Sequence, residues 1–200
     1  EAYGADAVRY FVCRELQLAG DSSYTDELFK QRYDSELAND LGNLVNRSIS
    51  MLQRYRGGKL PAVGAKGMGD DELQKLAAET VDFYIENMPL FQYGKVLDRI
   101  ARFVQRANQY VEENAPWKLA KDAGLAGRLD TVLNRLVEVV YTLGTLLTPF
   151  LPETSPKIAS QLQVSAFVFS KKDLSCLSSL EPQHQAGQPT PLFPRSEPKK

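Results

Sequence analysis

The sequence has few of the residues that catalytic and metal sites usually require. It contains one histidine, His184, and two cysteines, Cys13 and Cys176, among 200 residues. A single histidine in a Ser-, Gln- and Pro-rich segment disfavours nucleophilic catalysis through a His-activated Ser or Cys. The cysteines are too far apart for a metal-ligand pair and too few for a disulfide scaffold. We therefore predict no catalytic residue, no metal and no cofactor in this sequence, and a reducing, cytoplasmic environment.

Long apolar runs are also absent, which excludes other classes of protein. No stretch approaches the roughly 18 apolar residues of a membrane span, so no membrane partner is expected. Segment 1–10 lacks the basic-then-apolar order of a signal peptide. The net charge of -1 argues against indiscriminate polyanion binding. Because the chain opens at Glu1 rather than at Met, we expect it to be a fragment of a longer protein.

Apolar residues recur every three or four positions over most of the chain, which is the period of half-buried helices. The pattern predicts four helices, over 26–55, about 71–86, 97–111 and 129–147. No convincing strand alternation competes, so we expect an all-α bundle.

The bundle is predicted to occupy residues 25–162, and a partly irregular tail follows at 163–200. The tail contains one short strand-like run, 166–169, and its ends are expected to rest on the body. Adjacent carboxylates such as Asp70-Asp71 and Glu112-Glu113 are interpreted as solvated helix ends rather than acid/base pairs.

A local positive segment lies between Leu41 and Gly69, which contains no acidic residue. Its five basic residues are Arg47, Arg54, Arg56, Lys59 and Lys66. At 100° per residue, Asn43, Arg47 and Arg54 fall on one helical stripe that faces away from the apolar side. Asn43 and Arg47 are neighbours at i, i+4 and could present an amide and a guanidinium to one ligand, such as a base edge. An ordinary solvated helix face explains the same spacing.

A second basic stripe lies on the third predicted helix and consists of Lys95, Arg99, Arg102 and Arg106. It could follow phosphates, although the charged side of an amphipathic helix is the simpler interpretation.

The only tryptophan, Trp117, directly follows Pro116 at a break between predicted helices. A ring that projects from such a turn is a stacking platform for unpaired bases. The alternative is a ring that closes the end of the bundle.

Several sequence runs resemble the methionyl-tRNA synthetase family. They are YGADAVRYF at 3–11, RE at 14–15, LANDLGNLVNR at 37–47, NAPWK at 114–118 and PLFPR at 191–195. The runs are specific, and together they extend over nearly the whole chain.

This resemblance implies that the bundle is an anticodon-binding domain and that residues 1–24 connect it to a catalytic domain absent from this sequence. The family's anticodon readers correspond to Asn43, Arg47 and Trp117, which would read the CAU anticodon of methionine tRNA. ATP with magnesium, and any zinc, would bind in the missing catalytic half, so this fragment should be inactive alone.

From spacing, Arg54, Lys59, Lys95 and Arg99 are candidate contacts to the tRNA backbone. Two alternatives stay open: the anticodon-binding bundle of another class I synthetase, and a helical protein-interaction module without RNA binding.

Overall fold

The computed structural model describes residues 3–15 and 25–194. The helix predicted over 26–55 is present as one continuous helical run. Its three parts are α2 (Asp26–Arg32), a π-helical segment (Tyr33–Gly42) and α3 (Asn43–Arg56). The Thr25 hydroxyl caps the start, and Gly57 ends the run in the left-handed conformation, at φ 60°. The extent of this helix was predicted correctly, but its apolar spacing did not reveal the π-helical winding.

The other three predicted helices are also present, with shorter helical pieces between and after them. In chain order the remaining elements are α4 (Asp70–Asn87), α5 (Tyr93–Asn114), α6 (Pro116–Leu119), a 3₁₀ turn (Ala123–Leu125), α7 (Ala126–Leu147), α8 (Thr154–Leu162) and α9 (Lys171–Cys176). Helix α4 begins with three acidic residues, which favour a helix N-terminus. Proline occupies the first position of α6, where a missing N–H costs no helical hydrogen bond.

Helix α7 forms the centre of the bundle. Leucine, valine and threonine side chains are buried around most of its circumference, in contrast to the one-sided burial of α5. It packs against α3, α5 and α8. Because a helix that is apolar on all sides must be enclosed, α7 fixes the other helices around it. Among the described residues, no helix is both long enough and apolar enough to cross a membrane.

Helix α1 (Gly4–Glu15) covers most of the described part of the predicted connector and lies against α5. The Asp6 carboxylate accepts hydrogen bonds from the backbone N–H groups of Glu153 and Thr154, at the start of α8. Acidic side chains are favoured at that end of a helix. The rest of the predicted connector, residues 1–2 and 16–24, lies outside the described residues.

The segment after α8 returns across the bundle, which agrees with the expectation that the tail rests on the body. Leu60 N–H donates to the His184 carbonyl and Gln183 N–H to the Leu60 carbonyl, both at 2.8 Å. Further along, the Tyr33 hydroxyl donates to the Pro194 carbonyl at 2.7 Å. Residues 195–200 lie outside the described residues.

Aromatic contacts bring the two ends of the described chain together. The rings of Tyr3 and Phe193 both pack edge-on against Tyr33, with ring centres 4.7 and 6.1 Å from it.

The strand-like run at 166–169 does not form a strand, and α9 was not predicted. No strand occurs in the described part of the chain; the one isolated bridge joins Lys59 to Gln185. Phe167 instead packs edge-on against Tyr141 of α7, with ring centres 5.2 Å apart, over the space that Gly144 leaves open. The apolar residues of this run are therefore used for side-chain packing on a helix rather than for strand pairing.

Candidate nucleic-acid interface

An open cleft of about 420 Å³ lies between α5 and the junction of the π-helical segment with α3. Four of its side chains are amides and one is an arginine. It is lined by Asn39, Asp40, Asn43, Arg47, Asn108, Gln109, Glu112 and Glu113. Amides both donate and accept hydrogen bonds, as the edges of nucleic-acid bases do, so the lining suits recognition of a polar planar group.

The structure places Asn43 and Arg47 in this cleft together. Asn43 is the first residue of α3, and its backbone N–H donates to the Asp40 carbonyl of the π-helical segment. Arg47 follows one turn later on the same side of the helix. Segments of π-helix are rare and are often found at functional sites. In this chain the π-helical segment ends at Gly42, directly before the candidate residue Asn43.

Arg47 also connects the cleft to Trp117. Its guanidinium carbon lies 5.8 Å from the centre of the Trp117 ring, within the range of a cation–π interaction. Its Nη2 donates to Glu112 Oε1 at 2.7 Å. The sequence indicated only that Glu112 is a solvated helix end. In the structure it is also the ion-pair partner of a candidate site residue.

Trp117 is 37% exposed, although the residue before it is buried. Helix α5 ends at Asn114, and Ala115 then takes φ 42°, a left-handed conformation uncommon for a residue with a Cβ. This turn buries Pro116 and leaves the next side chain at the surface. A partly exposed aromatic ring is the kind of side chain on which unpaired bases stack.

The floor of the cleft contains a polar atom that has no partner. Asn108 Nδ2 donates to the Asp40 carbonyl at 3.1 Å, while its Oδ1 is buried and accepts no hydrogen bond. Burial raises the pKa of the Asp40 carboxyl, which accepts only a long hydrogen bond of 3.4 Å from Gln105.

The remaining basic candidates, Arg54, Lys59, Lys95 and Arg99, do not line this cleft. Arg54 lies over the neighbouring Tyr55 ring, 5.7 Å from its centre. Lys59 is exposed in the loop after α3, and Lys95 is exposed on α5.

Carboxylates neutralise most of the second basic stripe. Arg99 pairs with Glu79 at 2.5 Å and Arg102 with Asp98 at 2.9 Å. Arg106 pairs with Glu72, at 2.7 Å. The stripe is therefore less positive than the sequence of α5 alone indicates.

A buried ionic network behind Trp117 was missed by the sequence analysis. Asp70, interpreted as a solvated helix end, is only 3% exposed, and that interpretation was wrong. Its carboxylate accepts hydrogen bonds from the Tyr110 hydroxyl at 2.5 Å and from Arg128 Nη1 at 2.6 Å. Burial raises the pKa of Asp70, but the bonds from Arg128, Tyr110 and Gly67 outweigh burial and hold the pKa below its usual value. Arg128 lies 58 positions further along the chain, so no local sequence pattern could reveal the pair.

No group of three or more His, Cys, Asp or Glu side chains within residues 3–15 and 25–194 is placed to hold a metal ion. Cys13 and Cys176 are both free. The chemistry of this surface is therefore that of hydrogen bonding, stacking and charge.

Comparison with known families places this bundle among the domains that bind tRNA anticodons. Residues 60–199 match the family model described as the anticodon binding domain of methionyl tRNA ligase, and residues 1–49 match the model of class I tRNA synthetases (M). The chain belongs to the family of methionyl-tRNA ligase anticodon-binding domains. The expected all-α bundle is confirmed, whereas the division at residues 24 and 162 stays a prediction.

Related proteins and solved structures agree with this assignment. The methionine–tRNA ligase of Fusobacterium nucleatum is 35% identical over 98% of this chain and that of Lactococcus lactis is 39% identical over 98%. A Mycobacterium tuberculosis methionyl-tRNA synthetase in its free state superposes with a TM-score of 0.87 at 31% identity, over 99% of this chain. Another structure of that enzyme, in complex with methionyl-adenylate, gives 0.86, over 97% of this chain.

This chain spans only part of each of these proteins. It covers 31% and 29% of the two ligases and 40% and 38% of the two solved chains. The two alternatives, a bundle of another class I synthetase and an interaction module without RNA binding, find no support in these matches.

Proposed function

We propose that this chain recognises the CAU anticodon of methionine tRNA as part of a methionine–tRNA ligase. The observation that carries the proposal is the approach of Arg47 to the exposed Trp117 ring, 5.8 Å from guanidinium carbon to ring centre, beside a cleft lined by four amides and three carboxylates. A stacking surface and base-edge donors are the two components by which proteins read unpaired bases.

In the proposed complex, one anticodon base leaves its stack and lies against the Trp117 ring. Asn43 and Arg47 then hydrogen-bond the edges of the neighbouring bases or the backbone between them. Because Arg47 already bonds Glu112, an incoming base or phosphate would compete with that carboxylate for the guanidinium, which has further N–H donors. A wrong base leaves buried polar groups unpaired, at about 1–3 kcal/mol each, which is sufficient to discriminate between tRNAs.

Contacts to the tRNA backbone are assigned to Arg54, Lys59, Lys95 and Arg99, which lie outside the cleft. They carry positive charge but present no arrangement that selects a base, so they would position the tRNA without reading it. At Arg99 a phosphate would compete with Glu79 for the guanidinium.

The catalytic step is assigned to the part of the longer enzyme that precedes this chain. That part would bind ATP with magnesium, and any zinc, and attach methionine to tRNA. The present chain would contribute tRNA binding and contact with its own catalytic domain. As a component of translation with two free cysteines, it would act in the cytoplasm.

The test is binding of the 200-residue chain to an anticodon stem-loop that carries CAU and to one with a changed anticodon, at one fixed salt concentration. We expect the CAU loop to bind more tightly and Trp117→Ala to weaken it by about 5- to 100-fold, since a base–aromatic stack contributes about 1–3 kcal/mol.

A matched control is Phe169→Ala, because Phe169 is also exposed, at 45%. Phe169 stacks on Tyr84 near the C-terminal end of α4, about 21 Å along that helix from Asp70. Equal binding of both loops, whether or not Trp117 is present, would overturn the assignment.

A further inference from the structure

The network behind Trp117 is organised around the guanidinium of Arg128. Its Nη1 donates to Asp70 Oδ2 at 2.6 Å, and its Nη2 donates to the Met68 carbonyl at 3.0 Å and to Asn114 Oδ1 at 2.5 Å. The guanidinium carbon also lies 5.9 Å from the centre of the Tyr110 ring. One side chain of α7 thus joins the end of α5 to the start of α4.

Stability alone is a weak explanation for this arrangement. Asp70 and Arg128 have side chains only 4% and 12% exposed, and taking such a pair out of water costs much of what their attraction returns. A buried ion pair with several further hydrogen bonds is better explained by the geometry that it imposes. Here the pair fixes the position of Asn114, the last residue of α5.

Asn114 connects this ion pair to the turn that precedes Trp117. Its Nδ2 donates to the Tyr110 carbonyl at 2.9 Å and to the Met68 carbonyl at 3.3 Å, while its Oδ1 accepts from Arg128. The bond to Tyr110 closes the last turn of α5, and the other two connect that turn to α7 and to the loop before α4. The next residue, Ala115, is the left-handed turn that sets the direction of α6 and the position of the tryptophan ring.

We infer that Arg128, acting through Asn114, is a positioning residue for Trp117, and that it keeps the ring beside Arg47 before any RNA arrives. The inference rests on the proposed function, in which Trp117 stacks against an anticodon base. An ordered ring loses less conformational freedom on binding than a mobile one, so this network increases affinity for the anticodon without touching it.

The experiment uses Asn114→Ala, which breaks the connection but leaves the Asp70–Arg128 pair in place. A matched control exists in the same bundle: Asn87 ends α4 and donates to the Phe83 carbonyl at 2.9 Å, as Asn114 does to Tyr110. Because Trp117 is the only tryptophan, its fluorescence reports this position alone.

In Asn114→Ala we expect lower Trp117 anisotropy, more quenching by acrylamide and a loss of CAU stem-loop affinity of about 2- to 10-fold. Asn87→Ala should leave all three unchanged. Asn114→Asp, which keeps an acceptor for Arg128, should retain wild-type anisotropy.

The inference is wrong if Asn114→Ala leaves anisotropy and affinity at wild-type values, or if Asn87→Ala changes them as much. Failure of the proposed function has a different signature: Trp117→Ala would then bind the CAU loop as well as wild type, whatever Asn114→Ala does to the fluorescence.

Discussion

The Arg47 guanidinium lies over the ring of Trp117, 70 positions further along the chain, with 5.8 Å between guanidinium carbon and ring centre. The same guanidinium donates to Glu112 at 2.7 Å. One side chain therefore connects an exposed aromatic ring to a carboxylate, and in the proposed complex RNA would compete with that carboxylate for the guanidinium.

We expect the planar guanidinium of Arg47 to contribute to stem-loop affinity through its shape as well as its charge. Arg47→Lys keeps the charge but loses the planar stacking and the paired donors, so affinity for the CAU stem-loop should fall about 10-fold. The salt dependence of binding should stay nearly constant, since the number of cations is unchanged. Fluorescence titration at several salt concentrations measures both.

Arg54→Lys is the control for this change. Arg54 is on the same helix and also lies over an aromatic ring, that of Tyr55, but it is outside the cleft. If Arg54→Lys weakens CAU binding as much as Arg47→Lys, the fork of Arg47 has no special role.

Glu112 is expected to restrain Arg47 in the absence of RNA. Glu112→Gln removes the ion pair, and stem-loop affinity should rise by about 2- to 5-fold, because an exposed pair of this kind contributes up to about 1 kcal/mol. The adjacent Glu113→Gln removes the same charge but breaks a contact with Arg106 at 3.1 Å, and Arg106 keeps its pair with Glu72. Isothermal titration of both variants distinguishes release of Arg47 from a general gain in positive charge, which would raise both affinities equally.

The Asp70–Arg128 pair should make stability depend on pH in the acidic range. The folded-state pKa of Asp70 is lowered, so its stabilising contribution is complete above the unfolded pKa of about 4 and is lost as pH falls through the lower folded value. Asp70→Asn leaves Arg128 buried without its anion and should reduce the free energy of unfolding by about 3 kcal/mol at pH 7.

Urea unfolding of wild type and Asp70→Asn from pH 7 down to pH 3 measures this contribution. The difference between the two proteins should shrink below about pH 4. The neighbouring Asp71→Asn, whose side chain is 86% exposed, is the control and should change stability little. A constant difference between wild type and Asp70→Asn would contradict the assigned ionisation.

Glu138 should show the opposite pH dependence. Its carboxyl accepts from the backbone N–H groups of Ser179 and Leu180 at 2.7 and 2.8 Å, and burial raises its pKa to about 7 despite these bonds. A folded pKa above the unfolded one means that its stabilising contribution is complete below about pH 4.5 and is lost as pH rises through 7.

Relative to Glu138→Gln, wild type should therefore lose on the order of 3 kcal/mol of unfolding free energy between pH 4.5 and 8. Denaturant titrations across that range, monitored by circular dichroism, measure the difference. A flat difference would show that Glu138 does not change its ionisation there.

Sequence periodicity was sufficient to predict the four long helical runs, because each carries its apolar pattern within its own residues, but it did not predict α1, α6, α8 or α9. It also placed Asn43 and Arg47 together, since residues four apart share a helix face. The π-helical winding before Asn43 was beyond this method, because apolar spacing does not specify hydrogen-bond register.

Partners from different helices could not be predicted from spacing. The contact of Arg47 with Trp117 depends on how α3 meets the end of α5. The misassigned Asp70 shows the same limit: its adjacent acids indicated solvent, whereas its partner Arg128 comes from α7. Family resemblance, rather than periodicity, was what grouped Asn43, Arg47 and Trp117 as one site.

The meeting of Tyr3 and Phe193 on the ring of Tyr33 has a consequence for rearranged versions of this chain. Because the two ends of the described residues lie at one corner of the bundle, a linker can join them, and new termini can be opened in the exposed segment 65–67. Such a circular permutant would keep the packing of the helices around α7 and change their order along the chain. It would also separate the role of chain connectivity from that of packing in the folding of this bundle.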